Sequence, residues 1–149
     1  AGAFEDASGN PSPLVGGDGE WYFTTGIDSS NPFIVSTVPI DAATGVSSGV
    51  ITININEEVT KTSGKKIALY DANTNVLIQE LDGADGAVSV ATNVATITFS
   101  SFTTDGLDYY VTMDKGFFRD LNANDIEDIN PGEYTFSASD NTAPTVVIT

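Results

Sequence analysis

The sequence predicts an all-β fold, a sandwich of about seven strands. Alternation of apolar and polar residues with a period of two dominates the chain, and no stripe of helical period competes with it. Clusters of Ser, Thr, Asn, Asp and Gly, each suited to turn geometry, punctuate the apolar segments at short intervals. In order, Phe33–Val38 opens the unit, bracketed by Pro32 and Pro39 where a missing N–H does least harm. Ile51, Ile53 and Ile55 alternate with Thr52, Asn54 and Asn56, the pattern of a half-buried strand. Ile67 and Leu69, the turn 71–75 and then Val76-Leu77-Ile78 read as a hairpin. Val88 and Val90 are joined through Ala91-Thr92-Asn93 to the strand Val94–Phe99. Tyr109–Met113 and Glu133–Ser137 complete the set.

The two ends of the chain resemble each other. Gly2-Ala3-Phe4-Glu5-Asp6-Ala7-Ser8-Gly9-Asn10 reappears as Gly116-Phe117-Phe118-Arg119-Asp120-Leu121-Asn122-Ala123-Asn124. Trp21-Tyr22-Phe23-Thr24 answers to Tyr134-Thr135-Phe136-Ser137, and Asn31-Pro32-Phe33-Ile34-Val35 to Ala143-Pro144-Thr145-Val146-Val147. The offset is about 113 residues, the length of one small β-domain. This divides the chain into a terminal loop and last strand of a preceding repeat (1–26), a linker (27–32), a complete domain (33–142) and the start of a next repeat (143–149). A strand such as 1–26, with exposed aromatic residues and no sheet of its own, is unstable alone in water. It is expected to dock on 33–142, to complete another molecule's sheet or to remain mobile, and the second of these makes a head-to-tail polymer.

Composition narrows the chemistry. The 149 residues include no Cys and no His, so thiolate sites, disulfides and the usual general base are excluded. Five basic residues against 21 acidic ones give a net charge of -16. Such a polyanion is repelled by nucleic acid and by anionic bilayers, and no apolar run is long enough to span a membrane. Bound divalent cations or high salt relieve the self-repulsion. Residues 1–10 lack the basic and apolar regions of a secretory signal, although a chain that opens inside a repeat leaves room for one upstream. Ser is frequent but has no base beside it, and no Gly-rich loop precedes a helix, so catalysis is not expected.

Several motifs together resemble the bacterial S-layer-type Ig-like domain found in tandem in surface proteins and large adhesins. They are Pro39-Ile40-Asp41-Ala42-Ala43-Thr44-Gly45-Val46, Glu57-Glu58-Val59 after a strand, Lys66–Asp71 and Tyr109–Thr112. The Gly-x-Phe-x-Asp loop at Gly116 precedes the closing aromatic strand. The resemblance implies a Greek-key Ig-like sandwich and an extracellular structural module without activity of its own.

Two acidic segments offer oxygen ligands for calcium. In Asp120–Asp128 the side chains of Asp120, Asn122, Asn124 and Asp128 recur at even spacing, with a backbone carbonyl at Ile126, as a calcium loop requires. The other reading is an Asx-rich connection that caps its own backbone. Asp28 and Asp140 occupy equivalent positions in the two linkers. Similar acidic linkers in cadherins and giant bacterial adhesins hold calcium, which crosslinks two domains and removes hinge freedom. A plain extended linker is the alternative. Lys61, Lys65 and Lys66 are expected to offset the acidity of Glu57-Glu58. Phe4, Trp21, Tyr22 and Phe117-Phe118 form either a stacking platform for glycan or ordinary core.

The expected role is a calcium-stiffened structural module of a cell-surface or secreted repeat protein: an S-layer, adhesin stalk or filament. Its partners are neighbouring repeats or copies of itself. A fibre subunit polymerising through residues 1–26 and a glycan-binding module are the alternatives.

Overall fold

The computed structural model describes Ser8 and residues 26–144. Eleven strands run along this stretch: β1 (Ile34–Val38), β2 (Ala43–Val46), β3 (Val50–Ile55), β4 (Val59–Lys61), β5 (Lys66–Asp71), β6 (Leu77–Asp82), β7 (Val88–Ala91), β8 (Val94–Thr98), β9 (Asp108–Met113), β10 (Phe118–Asp120) and β11 (Thr135–Ala138). They form a four-stranded sheet in the order β1-β3-β8-β7 and a five-stranded sheet in the order β2-β11-β9-β5-β6, with β4 and β10 as a small third sheet. This is a Greek-key sandwich.

The period-two pattern explains the layers. Ile51, Ile53, Ile55, Ala95, Ile97 and Val88 face inward from one sheet. Ile67, Leu69, Tyr109, Val111, Met113, Phe136 and Ala138 meet them from the other. Intervening positions such as Thr52, Asn54 and Thr96 face outward, as alternation on a pleated strand demands. Phe117 and Phe118, in an edge-to-face pair with centroids 4.8 Å apart, are both fully buried and plug one end of the core. They are core side chains, not a stacking platform; Phe4, Trp21 and Tyr22 lie outside the described residues.

Three strands go beyond the sequence reading. Residues 43–46, outside the strands predicted from the sequence, form β2, which pairs in parallel with β11. Strands β4 and β10 pair with each other over three residues, Phe118↔Lys61 to Asp120↔Val59. All three are short and find their partners far along the chain, so local alternation carries no trace of them.

The described stretch enters and leaves the sandwich at opposite poles. Strand β1 enters beside the end of β3, where the Phe33 N–H donates to Asn56 Oδ1 at 2.6 Å. Strand β11 leaves beside Val46 and Leu107, whose carbonyls accept from Ser139 and Ala138.

Candidate metal centre at the amino-terminal pole

The hairpin-like loop after β10 is organised by one carboxylate. Asp120 Oδ1 accepts the Asn122 N–H at 2.9 Å and the Asn124 N–H at 2.7 Å, and its Oδ2 accepts Asn124 Nδ2 at 2.7 Å. Ala123 takes the left-handed conformation, φ 67°, that lets the loop turn back. Asp120 is 4% exposed, the one charged side chain among the buried described residues. Burial pushes its pKa up, but the Asn124 side chain and the Asn124 and Asn122 N–H groups outweigh that and hold it below the ordinary value.

The linker closes on this loop. Asn124 Nδ2 also donates to the Asp28 backbone oxygen at 3.0 Å. The Asp28 carboxylate and Glu57, at the end of β3, then fall beside Asp120, so that one oxygen from each of the three lies within 4.8 Å of the others. None of the ion pairs among the described residues reaches this group; Lys66 pairs with Glu80 and Asp82, Lys115 with Glu127 and Arg119 with Asp125. Three mutually repelling carboxylates therefore meet without a basic side chain among them. All the donors are oxygen, the set that suits a hard cation such as calcium and not a thiolate- or imidazole-seeking metal.

The sequence-predicted ligands separate into two groups. Asp28, Asp120 and Asn124 converge on the pole where β1 begins. Asn122 supplies only its N–H, its side chain being exposed, and Asp128 is exposed. The Ile126 carbonyl accepts from Gly116 N–H in the adjoining ladder, which directs it away from any cation in the loop. Asp125 pairs with Arg119 at 2.5 Å and packs over Gly116, where an added Cβ would come 2.7 Å from its Oδ1. Asp140 sits at the opposite pole and caps Thr142 through both its N–H and its hydroxyl. Its turn nonetheless copies that of Asp28: Ser30 N–H and Thr142 N–H each reach the Asp Oδ1 two residues earlier at 2.9 Å.

Glu57 was absent from the sequence-predicted ligands. Its place just beyond β3 reaches the pole where the linker arrives only through the antiparallel pairing of β3 with β1, which sequence spacing does not show. Two of the three lysines also behave differently from expectation. Lys66 pairs with Glu80 and Asp82, and Lys61 donates to the carbonyls of Asp85 and Val88, because β4 leads both away from Glu57.

Residues 28–138 match the bacterial Ig-like domain family. The chain belongs to that family. Comparison with curated proteins gives no match. Bacterial Ig-like domains occur in surface proteins and are typically structural and non-catalytic. The strand order above is the arrangement expected of an Ig-like sandwich.

Proposed function

We propose that this bacterial Ig-like domain is a load-bearing module of an extracellular repeat protein, stiffened by calcium where its leading linker meets the sandwich. The convergence of Asp28, Glu57 and Asp120 carries this reading. A cation held there ties a linker residue to two loops of the folded body and removes the freedom of the joint. The Asn124 amide now donates to the Asp28 carbonyl and to Asp120; after a half-turn it offers its oxygen to the same point. Asp140, in a turn matching that of Asp28, is the linker carboxylate positioned to serve a following unit in the same way.

The topology supports the mechanical part of the reading. With the sandwich entered by β1 and left by β11 at opposite poles, tension shears the parallel β2–β11 pair along its length. Hydrogen bonds loaded together resist more than bonds opened one by one. The described sandwich also supplies strands to both of its sheets from residues 34–138, which favours a self-sufficient spacer over a unit that takes a missing strand from a neighbour.

Isothermal titration with calcium tests the proposal. The full chain is expected to bind calcium with Asp28→Asn and Glu57→Gln each weakening it at least about tenfold, the loss of one charged ligand. Undiminished binding in both variants would overturn the assignment of this site.

A further inference from the structure

Two side-chain amides join the leading linker to the carboxylates of its pole. Asn124 Nδ2 donates to the Asp28 carbonyl and to Asp120 Oδ2. Asn56 makes a second bridge of the same kind. Its Oδ1 accepts the Phe33 N–H at 2.6 Å, and its Nδ2 donates to Glu57 Oε1 at 3.0 Å. The Asn56 N–H also donates to the Phe33 carbonyl at 3.1 Å, which carries the β1–β3 ladder one pair beyond Ile34↔Ile55. One amide thus grips the backbone where the linker joins β1 and, with its other end, a carboxylate of the candidate metal centre.

The bridge acts on Glu57 through charge and orientation. Glu57 shares its pole with Asp28 and Asp120, and like charges at that range push it outward. A bond from a neutral amide restrains the carboxylate without neutralising it. On Oε1 it leaves the lone pairs of the second oxygen open to a cation. Partners of this sort orient the ligands of a metal. Phe33 in turn fixes the amide, because an Asn56 turned over would set its oxygen against Glu57 and its NH2 against the Phe33 N–H. Asn56 is exposed, so without Phe33 water competes for both of its ends. Asn54, two residues earlier, also ties β3 to β1, but its amide donates to Ser36 Oγ at 3.0 Å.

We propose that Asn56 is a positioning residue that makes calcium affinity depend on the seating of the leading linker. Seated Phe33 fixes Asn56, and Asn56 presents Glu57 to the ion. This coupling rests on calcium at the pole, as proposed for the joint. It is reciprocal: an ion that holds Glu57 also fixes Asn56 and strengthens its grip on Phe33. Once Asn124 turns its oxygen to the ion it releases the Asp28 carbonyl, and Asn56 remains as the amide that holds the linker end. Tension that lifts Phe33 from Asn56 therefore lowers the affinity of the centre. A loaded joint gives up its ion more readily than a slack one.

Calcium titration of the full chain and its variants tests this, with hydrogen exchange of the Phe33 amide measured alongside. Asn56→Ala removes no ligand, yet it should weaken binding about tenfold, the scale of losing a partner that orients a metal ligand. Phe33→Pro deletes the N–H and should weaken binding as well. Added to Asn56→Ala it should cost little more, because both changes break one bridge. Asn54→Ala, which also removes a side-chain bond between β3 and β1, should bind calcium like the parent. In the parent, calcium should slow exchange at Phe33 by about the factor that Asn56→Ala costs in affinity. Parent-like affinity in Asn56→Ala, equal weakening in Asn54→Ala, or additive losses in the double variant would overturn the coupling and leave the calcium site standing. Unchanged Phe33 exchange in a parent that binds calcium would do the same. A parent that binds no calcium would overturn both.

Discussion

Many of the acidic residues serve as turn caps. Asp71 accepts the N–H groups of Asn73 and Thr74, Asp82 that of Ala84 and Asp85 that of Ala87, while Asp82 and Asp41 also accept from the distant Gly64 and Thr135. Asp120 does the same in a buried setting, so Asp120→Ala strands two N–H donors inside the loop. Its melting temperature should fall by on the order of 5 °C in thermal denaturation, without calcium as well as with it. Ala123→Gly should do the opposite. It relieves an L-residue held at φ 67° and should raise stability by about 0.5–1 kcal/mol in denaturant unfolding. Tyr134 gives a pH signature. Burial, with Asp41 nearby and against a hydrogen bond from Thr37, pushes its pKa up from 10.0 to about 12. The folded chain thus favours the neutral phenol. That stabilisation is complete below pH 10.0 and is lost as pH rises through about 12, a loss that Tyr134→Phe should reduce.

Strands whose partners are near in sequence were legible because their alternation and turns are local. The hairpins β5–β6 and β7–β8 follow from Asp71–Asn75 and Ala91–Asn93. Strand β2 was hidden because its motif reads as a turn: Ala42 and Gly45 have φ 57° and 69°, and its partner β11 lies some ninety residues on. The same strand carries the mechanical prediction. Gly45→Val forces a β-branched residue into the left-handed region within the sheared pair. In force spectroscopy by the chain ends, its rupture force should drop further than that of Asp120→Ala, whose defect lies outside the β2–β11 pair.

For the whole molecule, the linker and the β10–β11 loop were each recognisable as oxygen-rich, but only the fold shows that they share a pole. Asp28 and Asp120 are brought together by the entry of β1 beside β3, a long-range fact that spacing cannot convey. The high acidity has two physical outlets, a specific divalent ion or general screening, and they separate in one experiment. The melting temperature of the full chain is measured in calcium, in chelator, and in NaCl of matched ionic strength. Calcium at about a hundredfold over its dissociation constant contributes about 2.7 kcal/mol, a rise of about 10 °C. The account predicts that rise in calcium alone, reduced in Glu57→Gln. Equal melting in calcium and in matched NaCl would contradict it.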